Sequence, residues 1–322
     1  MKNDYFKRAA VLILAGLILS GSASALFGKK TEVVPEGAPT VREITIKTYR
    51  DIPYSAQFLG SDAEGEDMTF AVVDQPRKGS VTIDGVDFVY TPNEGVTGGD
   101  SFTYTATDSS GNTSAPATVT ITIQKTKSGV TYSDTDAKSA YAAQEMAELG
   151  IYTGSKIGEN WYFEPDESVS RSEFLAMTME MAGRDVTDVT MTGFTDDEAI
   201  PVWAKAYAAA GVADGIIQGS ATSQGVAFRS EENITLNEAA PLLNRVLEVE
   251  NVDLEAWYGD RESVPSWAAQ AVGNLEAVSV LQVGSFGSSA MSDDITRADA
   301  ARMLSSAGAL LEGEYSPLAW LK

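Results

Sequence analysis

The second half of the chain carries acidic residues at positions that recur with a regular spacing. An aromatic residue is followed two positions later by an aspartate in three places, at Tyr132/Asp134, Phe194/Asp196 and Tyr258/Asp260. The successive aspartates are 62 and 64 residues apart. A carboxylate just before a helix accepts hydrogen bonds from the free backbone N–H groups of the first turn. We therefore expect these aspartates to cap the helices that follow, with contact to a bound ligand as the alternative.

A second recurring segment has the form Ser/Thr-x-x-Glu/Asp, which is the capping box of an α-helix. Its copies are Ser170-Arg171-Ser172-Glu173, Thr235-Leu236-Asn237-Glu238 and Thr296-Arg297-Ala298-Asp299. They are 65 and 61 residues apart, which matches the spacing of the first marker and indicates three related units. Capping does not explain Arg171 and Arg297, because the helix dipole disfavours a cation at that position. Each arginine either binds an anionic partner or pairs with a neighbouring acid.

A tryptophan opens one predicted helix in each of the last two units, at Trp203-Ala204 and Trp267-Ala268. A tryptophan at a helix start can pack in the core, and beside a loop it can stack on the face of a sugar ring. We favour the core for both, with sugar stacking as the alternative.

The composition excludes several kinds of chemistry. The 322 residues include no Cys and no His, which removes disulfides, thiol nucleophiles and the commonest general base and metal ligand. The formal net charge of -23 disfavours nucleic acid and anionic membranes as partners. No pair of acids has the pattern of an apolar catalytic cleft, so we expect no enzyme. The alternative is a secreted carboxylate-dependent hydrolase of wall glycans.

The N-terminus has the features of an export signal. Lys2, Lys7 and Arg8 precede an apolar run from Ala9 to Leu19, and Ala23-Ser24-Ala25 offers a small-x-small cleavage site. The predicted organisation is then a signal peptide (1–25), a flexible leader (26–40), an all-β sandwich (41–124), a linker (125–130), three helical units (131–187, 188–251 and 252–312) and a tail (313–322). The protein is therefore expected to be exported.

Residues 41–124 are β-patterned. Apolar residues alternate with polar ones in several runs, for example at Phe102, Tyr104 and Ala106. Gly-containing turn signals separate these runs at short intervals. About seven short strands in ~85 residues are typical of an antiparallel β-sandwich.

The three helical units resemble the S-layer homology repeat. The pattern of that family is an aromatic-x-Asp start, Trp-Ala, a Gly-Ile-Ile-x-Gly turn, Phe-x-Pro and Ile-Thr-Arg-Ala-Glu. The second unit has Phe194-Thr195-Asp196, Trp203-Ala204, Gly215-Ile216-Ile217-Gln218-Gly219 and Phe228. The first has Gly150-Ile151-Tyr152-Thr153-Gly154 and Phe163-Glu164-Pro165, and the third has Ile295-Thr296-Arg297-Ala298-Asp299. The resemblance covers residues 131–312.

The resemblance implies an all-α pseudo-threefold trimer that binds pyruvylated secondary cell-wall polysaccharide in grooves between its lobes. The residues it assigns to polysaccharide binding are Arg171, Arg297, Asp134, Asp196, Asp260, Trp203, Trp267, Gly154 and Gly219. The chain departs from the family pattern in each unit. Leu236 replaces the arginine of the second unit, and Ser279 and Val283 replace turn glycines of the third. In the first unit, Lys138 falls at the tryptophan position when one counts back from Gly150, and Tyr141 is the aromatic when one counts forward from Tyr132. We therefore expect one or two competent grooves.

The β-domain resembles the cadherin-like and immunoglobulin-like modules of bacterial surface proteins. The residues that carry this resemblance are Ser61 to Phe70, Gly79-Ser80-Val81-Thr82, Phe88-Val89-Tyr90-Thr91-Pro92-Asn93 and Asp100-Ser101-Phe102-Thr103-Tyr104. We expect no cofactor. The alternative is calcium, for which oxygen ligands would come from Asp62, Glu64, Glu66, Asp67 and Asp108.

Together these features predict a protein of the cell surface, associated with the wall or S-layer. Its helical half would attach non-covalently to a wall polysaccharide, and its β-module would be displayed outward toward other surface proteins. A further alternative is attachment to peptidoglycan in a bacterium with an outer membrane.

Overall fold

The computed structural model describes residue 35 and residues 37–254, 264–281 and 289–312. These residues belong to one unit that begins at Pro35. The predicted signal peptide and the predicted site residue Asp260 lie outside them. None of the helices in these ranges combines the length and the apolar composition that crossing a bilayer requires.

The first half of the described chain is a β-sandwich. Its strands are β1 (Thr40–Val41), β2 (Ile44–Tyr49), β3 (Tyr54–Gln57), β4 (Gly60–Ser61), β5 (Thr69–Val72), β6 (Gly79–Asp84), β7 (Asp87–Pro92), β8 (Gly98–Thr107) and β9 (Ala117–Gln124). One sheet has the order β2-β9-β8-β5, the other has the order β3-β7-β6, and β1 pairs with β4. The two main sheets therefore contain seven strands, as the alternation of apolar residues predicts.

One pairing differs from the antiparallel sandwich that we expected from the sequence. β2 runs parallel to β9, with Ile46 opposite Ile121, whereas the other paired strands are antiparallel. Alternation of apolar residues fixes which face of a strand is buried. It carries no information about the direction of the neighbouring strand, so the sequence could not predict the parallel pair.

The core of the sandwich lies between the two sheets. The alternating residues Phe102, Tyr104 and Ala106 of β8 are buried, as predicted. The hydroxyl of Tyr104 donates to the backbone oxygens of Arg42 and Leu59, at 2.6 and 3.0 Å. A buried phenol needs such partners, because an unpaired polar group away from water costs about 1–3 kcal/mol. This tyrosine therefore also ties the segment around β1 to the sandwich.

The second half is built from six helices and two hairpins in the described residues. The helices are α1 (Ala140–Glu148), α2 (Arg171–Met181), α3 (Val202–Ala213), α4 (Leu236–Leu247), α5 (Ser266–Ala277) and α6 (Arg297–Leu311). The hairpins are β10 (Ser155–Ile157) with β11 (Asn160–Tyr162), and β12 (Ser220–Thr222) with β13 (Gly225–Ala227). The helices pack across unit boundaries: α1 on α6, α2 on α3, and α4 on α5.

The three units meet where the segments before their capping boxes come together. The N–H of Val169 donates to the oxygen of Ile295, that of Ile295 to Ile234, and that of Ile234 back to Val169, at 3.1, 2.9 and 3.0 Å. All three side chains are buried. Each unit donates one bond and accepts one, so the three segments close a ring of hydrogen bonds.

The sandwich and the helical body contact each other through aromatic rings. Tyr141 of α1 lies against Tyr49 and Tyr54 of the sandwich, with ring centroids 5.9 and 4.6 Å apart. The carboxylate of Glu148 accepts hydrogen bonds from the backbone of Lys127 and Ser128, at 2.7 and 3.2 Å. The segment predicted as a linker is therefore bonded to the first helix.

Candidate functional site: a cavity where three units meet

All three capping boxes form as predicted. Each Ser or Thr bonds the acid three residues later, and the acid returns to the backbone of the cap residue. The two arginines are therefore the second residues of well-defined motifs, at the first position of α2 and α6. The capping boxes therefore fix the backbone positions of both arginines, and both side chains extend toward a neighbouring unit.

Arg297 extends from the third unit to the first. Its Nη1 donates to the backbone oxygen of Phe163 at 2.9 Å and to Glu164 Oε2 at 2.8 Å. The guanidinium lies over the ring of Tyr152, 5.0 Å from the centroid, in cation–π geometry. The side chain is 15% exposed. In the described part of the chain its hydrogen bonds use Nη1 alone, so Nε and Nη2 keep their capacity to donate.

Arg171 makes the corresponding reach from the first unit to the second. Its Nε donates to the backbone oxygen of Phe228 at 3.0 Å, and its Nη1 lies 2.9 Å from Glu238 Oε1. The side chain is 14% exposed. Both arginines therefore pair with acids of the protein itself, which was one of the two possibilities left open by the sequence. The buried Nη1 of Arg171 lies within salt-bridge distance of Glu238 but makes no hydrogen bond of good geometry there, whereas Nη1 of Arg297 makes one to Glu164.

Trp203 and Trp267 lie on the surface, at the second position of α3 and α5. They are 50% and 61% exposed. The expectation that both pack in the core is wrong for both. The alanines that follow them, Ala204 and Ala268, are buried. The helix thus turns its small residue inward, and the bulky ring one position earlier is left to solvent.

A cavity of about 160 Å³ brings residues of all three units together. Its lining is made by Ile151, Tyr152, Val169, Glu173, Ala176, Met177, Trp203 and Arg297. The first unit provides the turn before β10 and one side of α2, the second provides the exposed tryptophan, and the third provides the arginine. The wall thus combines aromatic faces, apolar surface, one guanidinium and one carboxylate.

The side chains of Asp134 and Asp196 do not make the helix-capping bonds that we expected, although Asp196 lies directly before a short 3-10 helix, Asp197–Ala199. Asp134 accepts from the backbone N–H groups of Phe163 and Glu164, at 2.8 and 2.7 Å. Asp196 makes the same pair of bonds to Phe228 and the residue after it, at 2.9 and 2.8 Å. Each aspartate therefore clips the start of its unit to the chain about thirty residues later. These segments also hold the carbonyl oxygens that the arginines contact.

Replacing Asp134 with alanine should lower the free energy of unfolding by roughly 2–4 kcal/mol, because two backbone N–H groups lose their acceptor. Asp166→Ala is the matched control, since Asp166 is an exposed acid of the same unit. Denaturant unfolding of the two variants measures the difference. Equal stability of the two would show that the clip contributes nothing.

Gly154 and Gly219 are needed by the backbone. They have φ values of +68° and +72°, a region that residues with a side chain rarely adopt. A Cβ on Gly154 would lie 2.2 Å from the oxygen of Tyr162, and one on Gly219 would lie 2.7 Å from the ring of Phe194. The two glycines allow the turn that leads into each hairpin. Their role in these contacts is therefore structural.

The third inter-unit position differs from the other two in the ways the sequence indicates. Leu236 opens α4 in place of an arginine. Of the two residues that could take the tryptophan position of the first unit, Lys138 is exposed and precedes α1, whereas Tyr141 is the second residue of α1 and packs against Tyr49 and Tyr54. Ser279 adopts a φ of +57°, close to the left-handed turns of Gly150 and Gly215 in the other units. The turn is thus retained without its glycine, while the guanidinium is lost.

Three of the acids named as alternative calcium ligands (Asp62, Glu64, Glu66, Asp67 and Asp108) accept hydrogen bonds within the sandwich loops, namely Asp62, Glu66 and Asp108. Asp62 accepts from two backbone N–H groups of its own loop, each at 3.0 Å. Hydrogen bonds from Ser109 and Ser110 engage Glu66 and lower the pKa of that carboxyl. Within the described ranges, no three acidic side chains have a geometry that could hold a metal ion.

Several residues of the site could not be found from the sequence motifs. Tyr152, Glu164 and Met177 reach the cavity or its arginine only because three units fold together. Tyr152 lies inside the Gly-x-x-x-Gly turn, and this position is the one feature of the sequence that could have indicated it as a site residue. Glu164 is the middle residue of Phe-Glu-Pro, where no pattern constrains the residue type.

Residues 36–122 match the family described as Bacterial Ig domain, so the sandwich is a bacterial Ig-like domain. No curated protein matches the chain.

Among solved structures, the chain is similar to an endo-fucoidan hydrolase of glycoside hydrolase family 107, at 19% identity and a TM-score of 0.25, over 31% of this chain and 15% of that one. A second is a SusE-like surface-located polysaccharide-binding protein from Bacteroides thetaiotaomicron, at 16% identity and a TM-score of 0.22, over 29% and 15%. A third is the SrpA adhesin of Streptococcus sanguinis, at 18% identity and a TM-score of 0.23, over 31% and 68%. The chain thus spans less than a fifth of the first two structures.

Proposed function

We propose that this chain is an exported, non-enzymatic surface protein that attaches to a cell-wall polysaccharide through its helical body and displays its Ig-like domain. The observation that carries the proposal is the cavity in which Trp203, Tyr152 and Arg297 meet from three different units. Trp203 lines this cavity and is 50% exposed, so part of its ring is accessible to a ligand.

The chemistry of this cavity suits a sugar that bears a carboxylate. The faces of Trp203 and Tyr152 offer apolar surface to the C–H face of a pyranose ring. The Nε and Nη2 groups of Arg297 are the donors that a carboxylate prefers. The N-terminus of α6 lies at the same arginine, and its dipole favours a negative charge.

The polymer proposed as ligand is the pyruvylated secondary wall polysaccharide that the resemblance to S-layer homology repeats implies. The Arg297 cavity would be the main binding groove. Leu236 removes the guanidinium from one of the other two inter-unit positions. At the other, Glu238 already binds Arg171 with one oxygen and the cap residue Thr235 with the second.

Sedimentation with purified wall sacculi tests the proposal. The exported chain should sediment with intact sacculi, and removal of the pyruvyl ketals by mild acid should lower its affinity about tenfold or more, because the charged group that faces Arg297 is lost. Because we propose no enzymatic activity, the amount of soluble sugar released from the sacculi should be the same with and without the protein. Equal affinity for intact and stripped sacculi, or binding to neither, would contradict the proposal.

A further inference from the structure

Glu164 and Arg229 occupy corresponding places in the first and second units. Both follow the buried Phe of their segment, and both have backbone N–H groups held by the aspartate clip, from Asp134 and Asp196. Their φ values are +57° and +58°. The backbone at this place is thus the same in the two units, and the side chain differs in the sign of its charge.

The side chain at this place decides what the neighbouring arginine binds. In the first unit, Glu164 reaches Arg297 Nη1 at 2.8 Å. In the second, Arg229 turns to Ser220 and Glu232 instead, and Arg171 pairs with the capping-box acid Glu238. Glu238 Oε1 forms a salt bridge with Arg171 and its Oε2 accepts from Thr235, whereas the carboxylate of Glu164 contacts only Arg297 among the described residues and the side chain is 41% exposed. The carboxylate of Glu164 can therefore leave the guanidinium for water at little cost.

We propose that Glu164 is an internal substitute for the carboxylate of the ligand. In the empty groove it holds Arg297 in place over Tyr152, and an acidic pyranose displaces it on binding. The inference rests on the proposed function, since it concerns the same cavity. It adds that Glu164 sets the affinity by competing with the carboxylate of the ligand for Arg297. A neutral sugar would not compete with Glu164 for the guanidinium.

Glu164→Gln tests this, since it keeps the shape of the side chain and removes its charge. The variant should bind ketal-bearing wall polysaccharide about 1.5- to fivefold more tightly than the wild type, which is the range that one partly exposed ion pair accounts for. Affinity for the same polymer without ketals should be unchanged. Glu164→Ala should show the same selectivity, because it removes the acceptor as well.

Glu167→Gln is the matched control, because it removes the same charge from an exposed residue three positions along. Affinity that is unchanged or weaker in Glu164→Gln, while the wild type binds, would overturn the role of Glu164 and leave the proposed function standing. An equal gain in affinity in Glu167→Gln would mean that the effect comes from the removal of a negative charge at long range, and this would overturn the inference. Absence of binding by every form would overturn the proposed function and this inference with it.

Discussion

Replacing Trp203 with alanine is expected to weaken binding to the ketal-bearing polysaccharide about thirtyfold or more. A central aromatic residue of a binding site typically contributes about 2 kcal/mol or more, and each 1.4 kcal/mol is a factor of ten in affinity. The fold should tolerate the change, because half of the side chain is already in solvent. Binding isotherms with purified polysaccharide measure the effect.

Trp267→Ala is the control for this result. Trp267 has the same place in its helix and a similar exposure, but the arginine of its unit boundary, Arg171, is engaged by Glu238. We expect a loss of less than about threefold, a small fraction of the loss at a binding hot spot. Losses of equal size in the two variants would mean that both grooves bind, and unchanged affinity in Trp203→Ala would exclude this cavity as the site.

Gly154→Ala should lower the free energy of unfolding by roughly 3–5 kcal/mol. The new methyl group would lie 2.2 Å from the backbone oxygen of Tyr162, so the turn and β11 would have to move apart. The left-handed backbone of an L-residue accounts for about 1–2 kcal/mol of this total. Urea unfolding, monitored by tryptophan fluorescence, gives the free energy directly.

Gly150→Ala separates the two contributions. Gly150 has a φ of +72°, but a Cβ there would meet no atom within 4 Å. The free energy of unfolding of Gly150→Ala should therefore fall only by the conformational cost, about 1–2 kcal/mol. If Gly154→Ala proved no worse than Gly150→Ala, the close approach of the two chain segments in this unit would be refuted.

Features that depend on neighbours in sequence could be predicted. The capping boxes at Ser170, Thr235 and Thr296 each involve residues three apart, so the local pattern determines them. The buried alternation of β8 and the spacing of the three units could be predicted for the same reason. These patterns also place Arg171 and Arg297 at helix starts.

Features that depend on distant pairing could not be predicted. Asp134 bonds a segment 29 residues later, and Arg297 bonds Glu164 at a separation of 133 residues. Nothing in the local sequence distinguishes such a clip from a helix cap. The exposure of Trp203 was misjudged for a similar reason, since the choice between a core and a surface ring depends on which unit packs beside it.

The indole N–H signals of the tryptophans in an NMR spectrum test the central claim most directly. The chain contains five tryptophans, and single Trp→Phe variants assign their signals. On addition of ketal-bearing wall polysaccharide, the signal of Trp203 should shift most and that of Trp267 should move little. A complex that forms while the Trp203 signal stays in place would contradict the account.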